Sequence, residues 1–496
     1  MSLAASDPAR RILHNSVVLA VAKLLERATG FIVALLVAAE LGASGLGVYA
    51  AAWTLYGLMA IAGEAGTTNY LVREVSRAPK RTASYTVHLS VVAVAFATVL
   101  LLAGEVVVRL VYSGELQTAM SVILVAVLPK VLNSIQEAVF VAHGRVAFET
   151  LTRLGASIVY VGLAAWLLGG GSDVPTLLRA FVAVEWVVAA VYFMLINRFI
   201  ARLAPRFRWL LAVRLVREMK AYIASSAIGA LFSRPEVLIL SLLASNREVG
   251  LYSAALRVGE LPLLVPEVFM TNVFPLLSQA YGRDERRFAA WQSTAVRAMA
   301  AFALPIAACF LVSGDGIIRL LYGSGFATSG QVLQLLSVNV VAFSFFSIFW
   351  RSLVARGGQT TNVAVQGAMV GVRLVAGALL IAPFAAIGAA VTSGVTGTLH
   401  LLLLTRAVRR TGAPTGILRA AWRFAVAALA LGLTVWLLEG WLPLEASVAI
   451  GVVAYCLAAL AVRAVTPQDR ELLRGVLRPP ASPGPPPAAA GARAAT

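Results

Sequence analysis

Gly47-Val48-Tyr49-Ala50-Ala51 returns 203 residues later as Gly250-Leu251-Tyr252-Ser253-Ala254. Thr68-Asn69 returns as Thr271-Asn272 at the same offset, and Arg109-Leu110-Val111-Tyr112 as Arg319-Leu320-Leu321-Tyr322 at an offset of 210. Ala142-His143-Gly144 has a looser echo in Ala355-Arg356-Gly357. The chain therefore reads as two similar halves, each almost wholly apolar. A duplicated membrane bundle of this kind predicts a transporter with its pathway between the halves.

Composition supports that reading. Of 496 residues, 60% are hydrophobic and 13% charged, with a mean hydropathy of +0.85; soluble domains carry about 25% charged residues. With about 20 apolar residues needed per crossing, the pattern predicts fourteen helical spans in an all-α polytopic membrane protein. They fall at 13–40, 45–72, 86–110, 117–141, 148–170, 176–198, 220–243, 250–277, 291–312, 330–354, 360–382, 384–405, 420–438 and 444–463.

A net charge of +18 would suggest nucleic acid as the partner of a soluble chain. Here the positive residues instead cluster in alternate loops. One side holds Arg73, Arg77, Lys80 and Arg81, the run from Arg198 to Lys220, Arg283, Arg286 and Arg287, and Arg406, Arg409 and Arg410. The other side has Arg109, Arg179, Arg247 and Arg319. Because Lys and Arg mark the cytoplasmic side, both termini are predicted to be cytoplasmic, with the basic loops resting on lipid headgroups. No nucleic-acid partner is expected. Cys309 and Cys456 both fall within predicted spans, so no disulfide framework is expected. The first apolar run is long and interrupted by Lys23, Glu26 and Arg27, which does not fit a cleaved signal.

Six spans per repeat return the chain to the same side, so the halves should share one orientation about an axis along the membrane normal. The predicted organisation is a first bundle over 1–200, a basic cytoplasmic linker over 201–219, and a second bundle over 220–408. Two extra spans follow over 409–465, and then a Pro/Ala/Gly-rich, partly disordered cytoplasmic tail over 466–496.

Charged side chains at bilayer depth cost about 2.5–3.5 kcal/mol on insertion scales, so they normally face protein or a wet cavity. Lys23, Glu26 and Arg27 lie in the first span, Glu64 in the second, Lys130 and Glu137 in the fourth and Glu185 in the sixth. Arg234 and Glu236 lie in the seventh, Arg257, Glu260 and Glu267 in the eighth, and Arg373 in the eleventh. One reading makes these internal ion pairs: Glu26 with Arg27 or Lys23, Arg234 with Glu236, Arg257 with Glu260. The other makes a cationic cavity for an anion, and guanidinium groups suit phosphate because they bind it bidentately. On that reading Arg27, Arg234, Arg257 and Arg373 are the preferred phosphate and sugar-cavity contacts, with Lys23 and Lys130 beside them. Glu26, Glu64, Glu236, Glu260 and Glu267 are the candidates for ion coupling or charge pairing. Pro262, Pro266 and Pro275 interrupt the eighth span, and Gly57, Gly63 and Gly66 loosen the second, its repeat mate; alternating-access bending is expected at such matched weak points.

Together the 6+6+2 plan, the Val249–Ala255 opening of the eighth span, Leu41 to Ala50, Phe274-Pro275-Leu276-Leu277-Ser278 and Arg319-Leu320-Leu321-Tyr322-Gly323 resemble one family. It is the polysaccharide-transporter branch of the MOP superfamily, which includes Wzx-type oligosaccharide flippases. The resemblance covers roughly 10–465. It implies a MATE-like fold, two six-helix bundles around a central cavity, and transfer of a polyprenyl-(pyro)phosphate-linked oligosaccharide to the outer leaflet of the cytoplasmic membrane. The related lipid II flippase uses cations in its first and eighth spans, and Lys23, Arg27 and Arg257 occupy similar positions here.

The expected mechanism is alternating access, with the anionic head in the cavity and the lipid tail in the bilayer. Moving such a head through bare hydrocarbon would be prohibitive. Neither a cofactor nor a metal is expected; Na⁺, H⁺ or the membrane potential are the candidate energy sources. Glycan polymerase or ligase machinery is an expected partner, along with the lipid-linked glycan and membrane lipids. Three rivals stay open: a lipid II flippase, a multidrug or cation antiporter of the same fold, and a membrane-embedded sugar polymerase or ligase. A cationic interior argues against the antiporter, whose cargo is usually positive. Short external loops and the scattered His14, His88, His143 and His400 argue against an enzyme, which needs clustered chemistry.

Overall fold

A computed structural model describes residues 8–203, 207–232, 235–413 and 415–464. Among these the chain is helical throughout and has no strand. The first half contains α1 (Pro8–Glu64), α2 (Thr67–Arg77), α3 (Thr82–Val111), α4 (Gly114–Val125), α5 (Val127–Ala142), α6 (Val146–Gly169) and α7 (Val174–Phe199). The second contains α8 (Trp209–Phe232), α9 (Pro235–Leu243), α10 (Asn246–Glu260), α11 (Leu264–Ala280), α12 (Glu285–Tyr322), α13 (Ala327–Ala355) and α14 (Gln359–Arg410). α15 (Ile417–Leu438) and α16 (Leu444–Ala461) complete the chain.

Among the described residues eleven stretches are long and apolar enough to cross a membrane, and the outer surface is apolar, with Leu418, Trp441, Leu210 and Leu110 more than four-fifths exposed. This is a multi-pass membrane protein. The difference from fourteen has a geometric origin. Two of the eleven stretches, Arg27–Arg77 and Gln359–Arg410, contain sharp reversals. Arg257 donates to the Gly30 carbonyl at 3.3 Å and stacks 5.5 Å from the Tyr49 ring centre. In a straight helix those two residues would stand about 28 Å apart. α1 therefore folds back at Gly42, where φ is 65° and ψ is −165°. α14 does the same at Ala385 (φ 46°), so that the Thr392 hydroxyl lies 3.5 Å from the carbonyl of Ala376, 16 residues earlier. The predicted seventh span falls on α8 and α9, and residues 233–234 lie outside the described residues.

The second and eighth spans are broken where Gly and Pro predicted weakness. α1 ends at Glu64 and α2 begins at Thr67 across Ala65 and Gly66, both with positive φ. α10 and α11 are joined by a 3₁₀ turn over Leu261–Leu263 carrying Pro262, whose missing N–H cannot continue the ladder.

The repeat becomes a contact between α1 and α10. A Cβ on Gly47 would fall 1.7 Å from the Asn246 carbonyl oxygen, and a Cβ on Gly250 would fall 1.8 Å from that of Ala43. Both reciprocal pairs obey the 203-residue offset, which is what a local two-fold axis requires. Only glycine lets the two backbones approach so closely. One continuous core surrounds this crossing, including Leu46, Tyr49, Leu251, Tyr252, Met120 and Ile381. A second core forms among α11–α15 around Phe288, Phe349, Met299 and Leu404. α15 packs on α12 with Gly432 against Val312 and Ala308, and α16 packs on α15 with Gly451 against Val435. α16 otherwise buries little, only Ser447 and Gly451 fully.

Candidate functional site

Between the repeat-related helices lies a cavity of 690 Å³, within the usual range for small-ligand sites. Arg27, Gly30 and Phe31 of the first arm of α1 line it, with Trp53 of the second arm. Arg257, Glu260, the Leu261–Leu264 turn and Glu267 line it from the other half, and Phe343 of α13 completes it. The reversal at Gly42 places the side chains of the two α1 arms together. A continuous α1 could not present both of its arms to one space, whereas Arg257, Glu260, Leu264 and Glu267 follow the spacing of a single helical face.

Arg257 is the cation held deepest. Its Nη1 donates to the Gly30 carbonyl, and its guanidinium lies over Tyr49, which in turn stacks on Trp53 at 5.5 Å between ring centres. It has no carboxylate within ion-pair distance among the described residues, so the predicted Arg257–Glu260 pair does not form. A part-buried guanidinium with spare donors and no counter-ion among the described residues is an anion site in the making. Arg27 is held differently: its Nη2 bonds Glu267 Oε2 at 3.0 Å, with both side chains about half exposed at the cavity mouth. That ion pair joins the two halves instead of forming within the first span.

The remaining candidates lie elsewhere. Arg373 does not line this cavity; its Nε stands 3.3 Å from Glu236 Oε1 in a largely buried pair between α14 and α9. Lys130 is half-buried on α5, outside the lining. The Glu64 carboxylate accepts from Ser134 on α5. Arg234, and hence the Arg234–Glu236 pair, lies outside the described residues. Lys23 and Glu26 belong to α1, but their side chains also fall outside the description.

Arg153 was not singled out by the sequence. It lies on α6, within the predicted fifth span, and forms the most buried charge network described. Its Nε bonds Glu137 at 2.8 Å and its Nη1 bonds Glu185 at 2.6 Å. Asn133 donates to both the carboxylate and the backbone carbonyl of Glu185. The available signal was that Glu137 and Glu185 are intramembrane acids with no cation three or four residues away on their own spans, which leaves room for a partner from a third helix. No group of His, Cys, Asp and Glu among the described residues could hold a metal.

Fold and cavity together define a membrane transporter of the MATE-like type. The chain belongs to a family described as polysaccharide biosynthesis proteins, whose model matches residues 36–331. It is 23% identical over 397 residues, 79% of this chain and 82% of the other, to the probable low-salt glycan biosynthesis flippase Agl15 of Haloferax volcanii. Among solved structures, the lipid II flippase MurJ in an inward closed conformation superposes with a TM-score of 0.74 at 14% identity, covering 92% of this chain and 99% of that one. An inward-facing MATE multidrug-resistance transporter of the MOP superfamily gives 0.62 at 13% identity, covering 78% and 96%. A MOP-superfamily transporter from Pyrococcus furiosus gives 0.58 at 14%, covering 82% and 96%. At these identities the structures speak for the fold.

Proposed function

We propose that this chain is a flippase that carries a lipid-linked oligosaccharide across the cytoplasmic membrane, its phosphate held in the cavity between the two halves. The carrying observation is Arg257, a cation with no carboxylate partner among the described residues, fixed by Tyr49 and Gly30 inside a cavity that both repeats build. Family membership and the flippase relative support the same cargo class. They also speak for a transporter, not an enzyme.

Geometry suggests how the head enters. The molecule is tightly closed where Gly47 meets Gly250 and open where Arg27 and Glu267 are exposed. These levels are about 25 Å apart along the eighth span, some 17 residues at 1.5 Å each. With the basic loops cytoplasmic, the open end faces the cytoplasm, where lipid-linked sugars are assembled. A phosphate arriving there exchanges the Arg27–Glu267 bond for a bond to Arg27 and then meets Arg257. Trp53, Phe31 and Phe343 offer apolar faces to the sugar, while the lipid tail stays in the bilayer. Reopening at the other end requires α1 and α10 to part at the glycine crossing. The two bundles, 1–200 and 220–408, are the moving bodies in this reading, and residues 409–465 ride on α12. Energy comes from an ion gradient or the membrane potential, and a glycan polymerase or ligase receives the product.

Complementation tests the reading: surface glycan is measured in a strain lacking its own flippase, at matched expression of wild type, Arg257→Ala and Arg27→Ala. Wild-type rescue lost in Arg257→Ala supports a cationic pathway. Full rescue by Arg257→Ala would overturn it.

A further inference from the structure

A second cavity, of 520 Å³, opens on the outer flank of the first half, away from the site just described. Its walls come from α3, α5 and α7 and are mainly apolar: Val87, Val91, Leu132, Ala190, Phe193 and the ring of Trp186. Two polar atoms interrupt this lining. The Thr86 hydroxyl and Gln136 Oε1 belong to buried side chains, 2% and 6% exposed, and neither has a hydrogen-bond partner. Gln136 uses its amide N–H on the Ala189 carbonyl at 3.3 Å, so its oxygen is left without a donor. The rest of the wall is hydrocarbon, and a groove of this size open on an apolar flank suits an acyl chain.

Position identifies the occupant. Thr86 and Val91 lie four and nine residues into α3, Trp186 and Phe193 thirteen and six residues before the end of α7. At 1.5 Å per residue, the groove lies between about 6 and 20 Å from the basic ends of these helices, the depth of one leaflet's hydrocarbon. Positive charge stands at its mouth. Leu203 lines the groove and Arg202 precedes it. The Arg208 backbone N–H donates to His88 Nε2 at 2.8 Å, and Phe207 stacks on the His88 ring, which pins Phe207 and Arg208 to α3 beside Val87 and Ser90. Both guanidinium groups are exposed, and neither has a carboxylate partner among the described residues.

We infer that this groove is a binding site for an anionic phospholipid: one acyl chain lies along Trp186 and Phe193, and the phosphate meets Arg202 and Arg208. Such a lipid would be a resident of the first half, distinct from the transported cargo, held by chain burial and headgroup charge together.

The test reads lipid contact at Trp186. The full chain in nanodiscs is titrated with dibromo-acyl phosphatidylglycerol or dibromo-acyl phosphatidylcholine, and the Trp186 signal is obtained by difference from Trp186→Phe, since the chain has nine tryptophans. Saturating quenching at about tenfold lower mole fraction of phosphatidylglycerol than of phosphatidylcholine is expected. Arg202→Gln with Arg208→Gln should abolish that preference, and Ala190→Phe, which fills the groove from an exposed position, should abolish saturation for both lipids. Equal quenching by the two lipids in simple proportion to mole fraction would overturn the site, as would a phosphatidylglycerol preference that survives Ala190→Phe. Melting temperatures of the variants report folding separately.

Discussion

Gly47 and Gly250, related by the internal repeat, pack directly on one another: the Cβ that either lacks would lie about 3 Å from the other's backbone nitrogen and inside 2 Å of a carbonyl oxygen next to it. The crossing of α1 and α10 is thus a backbone-to-backbone contact made twice by one sequence motif. It closes one end of the molecule.

Gly47→Ala and Gly250→Ala should each force this crossing apart. Overpacking of this kind costs about 1–3 kcal/mol, and the cost falls only on the conformation in which α1 and α10 touch. A cysteine placed at Ala43 should therefore become more reactive to an impermeant thiol reagent applied from outside in either variant than in the otherwise native chain. Unchanged reactivity would show that the crossing does not control access.

Removal of Glu267 tests the ion pair between halves. Exposed pairs contribute about 0–1 kcal/mol to stability, so Glu267→Gln should leave the melting temperature within a degree or two of wild type. It should nevertheless strengthen retention of an anionic lipid-phosphate analogue, since Arg27 no longer has its partner. Weaker retention would mean that Glu267 helps to bind cargo.

Arg153→Ala should behave in the opposite way from Arg27→Ala. It leaves two buried carboxylates, Glu137 and Glu185, without their shared cation, a loss of about 3–5 kcal/mol. Yield and thermal stability should fall sharply, while Arg27→Ala should lose transport with stability intact. Equal stability of the two proteins would contradict the assignment of Arg153 to structure.

Asp173 caps α7, accepting from the Thr176 N–H at 3.0 Å, and the Thr176 hydroxyl, with that backbone bond, holds its carboxyl below the ordinary value of 3.8. A depressed acid contributes stability above its unfolded pKa and loses it as pH falls through the native one. The capping contribution should be full at pH 7 and should fade only below about pH 4. Asp173→Ala should cost about 0.5–2 kcal/mol at neutral pH and progressively less as the pH is lowered through the native pKa, as read from chemical denaturation. A cost that does not shrink on acidification would show that the cap does not depend on the charge.

The all-helical membrane architecture, the duplication and the family were legible because hydropathy, charge asymmetry and repeated words are properties of the chain itself. Arg27, Arg257, Glu260 and Glu267 were named as candidates for the same reason: a charge inside an apolar run is visible without a fold. Of the two readings open for these charges, same-helix pairing did not hold for Arg27 or Arg257. Helical spacing offered Glu26 with Arg27 or Lys23 and Arg257 with Glu260, whereas Arg27 found Glu267, 240 residues away, and Arg257 found an aromatic ring and a carbonyl. Spacing weighs only neighbours on one helix, and in a bundle the nearest charge usually sits on another.

The sequence by itself thus determined what kind of solvent surrounds this protein, how many times its plan is repeated and which ionic groups had to find shelter. Only the tertiary structure decided which groups shelter one another. It set Arg373 against Glu236 and Arg153 between Glu137 and Glu185, and it left Arg257 facing the cavity. The physical reason is that burial of a charge is a local cost written in the residue. The partner that offsets it is a matter of distance, and distance across the bundle is set by two backbone reversals, at Gly42 and Ala385, and one glycine crossing.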